Sequence, residues 1–286
     1  MLVTLFLIVG AIIAVGVYAV VMAPRRFHLI ELDVPIAGLD AAFDGYTIGV
    51  LSDLHQAPLP GLAHTRRALD AVQRHDPDLI ALLGDYAVSF KPSRRLSGRL
   101  YRNGMRTLTP ALRELRAPDG VVALLGNHDY YHDGKNVARW LQSLGITVLR
   151  NERVEIRRGA ACLTIVGVDD ALEGIVDAGA AFEGAEQCET AILLAHNPDS
   201  VLHLAGARRP SLVLAGHTHG GQVRLPFYGP PLQFAAICTR RAAQGWIPNP
   251  VAPLFVSAGV GSQIPLRAGV LPDAVIVRLR AGEPRA

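Results

Sequence analysis

Two hydrophobic patterns divide this chain. From Leu2 to Met22 no residue is charged. As a helix that stretch spans roughly 31 Å, against about 30 Å for the hydrocarbon core of a bilayer. A cleaved signal peptide opens on basic residues and carries an apolar stretch of about 7–15 residues. This segment lacks the first and exceeds the second, so it predicts an uncleaved transmembrane anchor over residues 1–23. Residues 24–44 read as a connection and an entering strand, FHLIELDV. From there to residue 286 the pattern becomes one of short apolar runs, each stopped by a polar cluster.

Five of those runs carry the argument. TIGVL stops at Ser52-Asp53-Leu54-His55, LIALL at Gly84-Asp85, and VVALL at Gly126-Asn127-His128-Asp129. AILL stops at Ala195-His196-Asn197, and LVLA at Gly216-His217-Thr218-His219. Aliphatic runs of this length bounded by Gly, Asp and Asn predict strands buried on both faces. LTIVGVDD (ending at Asp170), LFVSAGVG (254–261) and VIVRL (275–279) predict three more. Between the runs, His64–His75 sets Ala68, Leu69 and Val72 at helical spacing, and Val137, Trp140, Leu141 and Leu144 share another helical face. Thr109-Pro110 has the form of an N-cap and first position opening a further helix. Strand and helix alternate, without internal repeat or low-complexity linker, which predicts an α/β chain.

The polar clusters supply the chemistry. Asp53 and His55 lie two apart, as do His217 and His219. In extended backbone such residues point to one side, so the spacing predicts that each pair reaches one place. Hard oxygen mixed with imidazole nitrogen suits Mn, Fe, Zn or Co better than Ca. A single D-x-H or H-x-H is common by chance. Five such clusters, each directly after a strand-like run, predict a centre for two divalent metal ions at converging strand ends.

In this order, Asp-x-His, Gly-Asp, Gly-Asn-His-Asp, His and Gly-His-Thr-His resemble the calcineurin-like metallophosphoesterases. Leu214–Pro226, LAGHTHGGQVRLP, looks like the membrane-associated bacterial branch of that superfamily. The resemblance runs from about Gly45 to Arg267. It implies a layered sandwich of two central mixed β-sheets flanked by helices, here preceded by the N-terminal transmembrane helix. It also implies one metal ion held by Asp53, His55, Asp85 and His219, and a second held by Asp85, Asn127, His196 and His217. His128 would be a catalytic histidine outside the ligand set, and Asp129 would orient it or cap the next helix. Tyr86-Ala87-Val88 stands where many members carry a further acid after Gly-Asp; the departure bears on substrate subclass, not on the ligands.

Charge supports the mechanism so implied. Two divalent ions, less the carboxylates of Asp53 and Asp85 and one hydroxide, leave roughly +1 facing a phosphate. His128 as general acid contributes about 10²–10⁴-fold. The expected activity is hydrolysis of a lipid-linked or nucleotide-linked phosphodiester or pyrophosphate, as some relatives cleave a UDP-linked diacylglucosamine. Phosphomonoester or cyclic-nucleotide hydrolysis is the alternative within the class, and a non-catalytic metal-binding scaffold the alternative outside it. Retention of His128 beside a full ligand set favours the enzyme. Arg240, Arg241 and Arg267 are candidate phosphate contacts, since guanidinium suits bidentate recognition.

Composition changes the picture in few places. Of the 286 residues 19% are charged and the net charge is +3, so nothing announces a nucleic-acid partner. Cys162, Cys188 and Cys238 show no CxxC spacing and predict buried free thiols. From Lys91 to Arg116 eight residues are basic and one, Glu114, is acidic. Arg95, Arg99, Arg102 and Arg106 fall on one helical face, readable as a solvated stripe or as a contact with anionic lipid worth about 1 kcal/mol per residue. Arg25 and Arg26, on the C-terminal side of the apolar span, predict a single-pass inner-membrane protein with its catalytic domain in the cytoplasm.

Overall fold

A computed structural model describes residues 2–58, 60–90, 94–239, 242–249 and 251–282. Arg240, Arg241 and the Arg95 side chain lie outside the described residues. The uncharged N-terminal stretch forms helix α1 (Leu2–Val17), which continues through a π-helical turn at Tyr18–Met22 and a 3₁₀ turn at Ala23–Arg25. Over Phe6–Arg25 its mean hydropathy is 2.7, long and apolar enough to cross a membrane. Most of it is exposed. At its end Ala19, Ala23 and Pro24 are buried against the rest of the chain.

Twelve strands follow among the described residues: β1 (His28–Ile36), β2 (Thr47–Leu51), β3 (Leu79–Leu82), β4 (Val121–Ala123), β5 (Thr147–Val148), β6 (Glu152–Arg158), β7 (Ala161–Gly167), β8 (Thr190–Leu194), β9 (Leu212–Ala215), β10 (Gly245–Ile247), β11 (Leu254–Val256) and β12 (Asp273–Ala281). They build two six-stranded sheets, ordered β1-β12-β2-β3-β4-β5 and β10-β11-β9-β8-β7-β6. Neighbours are parallel except at β12–β2, β10–β11 and β6–β7. The helices are α2 (Leu62–Gln73), α3 (Arg94–Glu114), α4 (Asn127–His132), α5 (Gly134–Ser143) and α6 (Ala178–Phe182).

Both faces of the central strands are covered, which is why their sequences run apolar without alternation. Ile48, Val50, Leu79 and Ala81 point inward and meet Ile165, Ile192, Leu194 and Leu212 of the facing sheet. Leu51, Ile80 and Leu82 point outward and meet Ala68, Leu69 and Val72 of α2 and Leu108 and Leu112 of α3. Each Val, Leu or Ile among them contributes about 1.5–3 kcal/mol on burial. β2–β5 of the first sheet and β7, β8, β9 and β11 of the second end on the same side of the sandwich, and there the five polar clusters stand.

Three expectations fail here. No new helix opens at Thr109-Pro110, because α3 runs through Pro110. An internal proline costs about 3 kcal/mol, and burial of Leu108, Ala111, Leu112 and Leu115 on both sides of it offsets that loss. The strand predicted over 254–261 stops at Val256, and the remaining residues become loop beside the polar clusters. The cysteines are not all free. Cys162, in β7, is disulfide-bonded to Cys188, just before β8, with Cα atoms 5.2 Å apart. β7 and β8 are parallel neighbours, so Cys162 meets the segment that leads into β8, a proximity that spacing along the chain does not reveal. Cys238 alone is a free buried thiol, and burial pushes its pKa up to about 12.

Candidate metal centre

The backbone at the strand ends is not extended. Asp53, His55, Asp85, His217 and His219 all adopt left-handed conformations, with φ of 52, 37, 58, 71 and 52°. Both pairs therefore converge, but through left-handed loops and not through the pleat of a strand. Left-handed backbone costs a non-glycine residue about 1–2 kcal/mol, and each loop is pinned by hydrogen bonds that hold it there. Asp53 N–H donates to Gly84 O (3.0 Å), His55 N–H to Asp85 O (2.9 Å), and His217 N–H to Asp53 Oδ2 (2.9 Å). Glycines let the side chains crowd together. A Cβ on Gly126 would lie 2.3 Å from Asp85 Oδ1, and one on Gly216 would lie 2.6 Å from Asp53 Oδ2.

Six of the seven expected ligands form two groups, Asp53–His55–His219 and Asp85–His196–His217; within each, donor atoms all lie within 4.8 Å of one another. The groups touch. Asp85 Oδ2 is 3.4 Å from His55 Nε2 and 3.4 Å from His196 Nε2. The seventh, Asn127, has Oδ1 3.2 Å from His196 Nε2. Imidazole nitrogens face each other at 3.2 Å in both groups, His55 Nε2 with His219 Nε2 and His217 Nδ1 with His196 Nε2. Asp53 Oδ1, fully buried, has no hydrogen-bond partner. Lone pairs crowded in this way, with a buried carboxylate oxygen to spare, fit divalent cations. The far nitrogens of two rings are held by carbonyls: His196 Nδ1–H donates to Leu83 O (2.9 Å) and His217 Nε2–H to Phe234 O (3.1 Å). Such bonds fix the tautomer that turns the other nitrogen inward.

Burial holds His55 well below the ordinary histidine pKa, the Asp85 carboxylate only partly opposing it. It does the same to His219, helped by the Arg267 charge, and lowers His217, where the charge of His196 adds to it. At His196 burial is outweighed by Asp85, Asp53 and Asp170, and the pKa stays well above the usual value. Asp85 goes the other way: despite burial, the charge of His196, 3.4 Å away, leads the neighbours that hold it well below the carboxylate range.

His128 forms a third such group with His55 and Asp85, donor atoms again within 4.8 Å of one another, its ring edge-on to His55 at 4.9 Å. Its N–H donates to Asp85 Oδ1 (2.9 Å), and its Nδ1 is 2.9 Å from Ser89 O and 3.3 Å from Ser89 Oγ. Ser89, not Asp129, therefore orients the ring, and no sequence signal marked that serine. Neither role expected for Asp129 is met as stated: Asp133 caps the next helix, its side chain accepting Asn136 N–H at the start of α5 (3.1 Å), while Asp129 closes the helix it belongs to. Its buried carboxylate accepts Gly126 N–H (2.8 Å), Asp85 N–H (2.9 Å), Tyr86 N–H (3.0 Å) and the Tyr101 hydroxyl, closing α4 and tying it to the Asp85 loop.

Arg267 is not where a phosphate contact must be. It is the largest fully buried side chain. Its guanidinium donates to His219 O (2.8 Å), Ala258 O (2.8 Å) and Gly261 O (2.5 Å), and Nη2 lies 3.4 Å from His219 Nδ1. Burial draws its pKa down to about 10 against the pull of Asp273 and Asp53. It braces the His219 loop from behind. Above the cluster opens a pocket of about 720 Å³, with Asp85, Asn127, His128, His217 and His219 on its polar side and Leu172, Leu232, Phe234, Ile264 and Leu266 among its apolar walls.

Residues 46–221, from β2 through β9 and including every polar cluster just described, match the family model of the calcineurin-like phosphoesterases. The chain belongs to that family, and is a metal-dependent phosphoester hydrolase. Its relatives include YkuE of Bacillus subtilis, named as an uncharacterised metallophosphoesterase, 29% identical over 280 residues and aligned over 95% of this chain and 93% of its own. YaeI of Escherichia coli, named as a phosphodiesterase, is 32% identical over 237 residues, 82% of each chain. A transmembrane protein with a metallophosphoesterase domain from Danio rerio is 30% identical over 234 residues, 77% of this chain and 50% of that one.

Proposed function

We propose that the protein is a membrane-anchored phosphodiesterase with two divalent metal ions, acting on a lipid-linked or nucleotide-linked phosphodiester or pyrophosphate. The observation that carries this reading is Asp85, with one oxygen 3.4 Å from a histidine of each donor group and the other taking the amide of His128. Asp53, His55, Asp85 and His219 would hold one ion, and Asp85, Asn127, His196 and His217 the other. When bound, such a pair lowers the pKa of water to about 7 and neutralises phosphate oxygens. The chain's own residues then orient and protonate. Ser89 O takes the Nδ1–H of His128, leaving Nε2 to carry a proton to the leaving oxygen. Arg267 keeps the His219 loop in register, and the apolar walls of the pocket limit water around the ester.

Residues 1–23 serve in this reading as the anchor, 24–44 as the connection and 45–286 as the catalytic domain. The metals come from Mn, Fe, Zn and Co, which mixed imidazole and carboxylate donors suit. Arg99, Arg102 and Arg106 are exposed along α3 and make a basic face open to solvent or to anionic headgroups. Arg25 and Arg26 favour a cytoplasmic catalytic domain. One observation favours a second reading on that point: the Cys162–Cys188 disulfide belongs to an oxidising compartment.

Metal content and turnover of two variants test the assignment. Asp85→Asn loses both ions and hydrolysis of bis-p-nitrophenyl phosphate together. His128→Ala keeps two ions per chain and loses about 10²–10⁴-fold in rate. An Asp85→Asn protein with two bound metals rejects the shared ligand. A His128→Ala protein at full rate rejects the general acid, and wild-type protein inert on every phosphoester with two metals bound leaves the scaffold reading.

A further inference from the structure

We infer that the mouth of the pocket docks on the membrane that α1 enters, its apolar rim seated just inside the headgroup layer, so that the site draws an amphipathic phosphodiester from the plane of the bilayer. The inference rests on the anchoring proposed above and adds a surface and an orientation to it.

The first observation is the rim itself. Phe227 is wholly exposed, Leu232 64% and Ile264 58%, with Leu225 and Tyr228 half exposed beside them. Leu232 and Ile264 also line the pocket that holds Asp85 and His128. An apolar patch gathered at the edge of a polar centre marks an interaction surface, and water is a poor occupant for it.

The second is what the rim is tied to. The amide of Arg267 donates to the carbonyl of Ala19, in the last turns of the apolar helix, at 2.9 Å. The next residue, Ala268, bonds through its amide to Gln222 O (3.1 Å) and through its carbonyl to Arg224 N–H (2.7 Å). Leu225 and Gly229 then exchange two bonds of 2.9 Å and hold Phe227 at the tip of the turn between them. An unbroken series of backbone hydrogen bonds leads from the helix to the most exposed aromatic residue of the rim.

The third is level. Strand β1 starts at His28 opposite Asp273, and β12 leads from there antiparallel along β2, whose end delivers Asp53. The apolar helix thus arrives at the same end of the sheet as the polar clusters. Arg25 and Arg26 mark headgroup depth on that helix. Ala19 precedes Arg25 by about 9 Å of helix at 1.5 Å per residue, on the acyl side. A loop bonded to Ala19 therefore meets the outer acyl chains, and its neighbours Ile264, Phe227 and Leu225 have hydrocarbon to enter. Tyr228 has the amphipathic ring that collects at this depth. The occupant consistent with all three is the bilayer leaflet.

The test uses the full chain in phospholipid nanodiscs with an environment-sensitive fluorophore on a single introduced thiol. The native cysteines do not compete, since two are joined and Cys238 is buried. Phe227→Cys reports the rim, Val9→Cys the apolar helix, and Arg74→Cys the opposite end of the sandwich, where α2 ends. The expected result is quenching at 227 by lipids spin-labelled high on the acyl chain, at least twofold stronger than at 74, with shielding from aqueous iodide. A rim probe quenched by iodide as strongly as the one at 74, while the Val9 probe is lipid-quenched, overturns the docking and leaves the anchor standing. Loss of lipid quenching at Val9 overturns the anchor and the docking with it. Shielding from iodide without lipid quenching assigns the rim to a protein partner or a second copy and overturns the lipid occupant. Phe227→Ser should hydrolyse a soluble diester within twofold of wild type and a diester embedded in the nanodisc at least tenfold more slowly; equal rates on both count against the inference.

Discussion

Adding one methyl group at Gly126 should disable the metal centre while leaving the fold standing. Its backbone is extended, with φ −102° and ψ 174°, so alanine meets no conformational penalty there. The obstacle is space. A Cβ would lie 2.3 Å from Asp85 Oδ1 and 2.6 and 2.7 Å from Cε1 and Nε2 of His196, so these groups must retreat by about 1 Å to regain van der Waals contact. Overpacking of this kind costs about 1–3 kcal/mol, or a melting temperature lower by about 2–4 °C per kcal/mol in a chain of this size. Metal sites tolerate ligand displacements of only about 0.2 Å, and a 1 Å misplacement of reacting groups costs about 10²-fold in rate. Gly49→Ala is the matched control. Its Cβ would lie 2.4 Å from Val72 Cγ1 and 3.2 Å from Pro77 Cγ, a similar clash made only against core side chains. Thermal unfolding, elemental analysis and turnover of bis-p-nitrophenyl phosphate should therefore give similar melting points for the two variants. Gly126→Ala should lose metal and about 10²-fold in rate, and Gly49→Ala should lose neither. A Gly126→Ala protein that binds two ions as tightly as wild type and turns over like Gly49→Ala refutes the reasoning.

Closing a loop of 26 residues, the Cys162–Cys188 disulfide contributes about 3–4 kcal/mol in the loop-entropy account. Cys162→Ala should lose that much in denaturant unfolding under oxidising conditions and nothing under reduction. Thiol titration of protein purified under blocking conditions should find Cys238 as the one reactive group after unfolding; three free thiols would reject the oxidising compartment. Asp273, buried and bonded to Ser257 Oγ at 2.5 Å, has its pKa pushed up to about 6 by burial. The folded state therefore binds its proton more tightly than the unfolded state. The associated stability is full below about pH 4 and lost as pH rises through about 6, a change of about 3 kcal/mol. Asp273→Asn should flatten the stability profile between pH 4 and 7 by up to that amount, and an unchanged slope in urea unfolding excludes the linkage.

The chemistry was legible in the chain because a metal centre needs particular donor atoms at particular strand ends, and both are local properties. Asp53, His55, Asp85, Asn127, His196, His217 and His219 could be picked out as strand-terminal donors, and the runs before them as doubly covered strands. The apolar helix was legible for the same reason, since length without charge is written in one segment.

What depended on distance along the chain was not legible. The left-handed backbone of the candidate donor residues, against a period-two expectation, comes from carbonyls and amides of other loops that pin them. Arg267 looks like any other arginine until β12, the 257–261 loop and His219 close around it and turn a candidate phosphate contact into a buried brace. Ser89 takes up the role expected of Asp129 because it lies across from His128 only after α3 and α4 have packed. The cysteine pair forms because β7 and β8 are neighbours in the second sheet. Residue types and their spacing determined which atoms could bind and how each segment would run. Only the packing of the two sheets decided which of those atoms are turned toward one another, because orientation at a buried site is set by all of its neighbours at once.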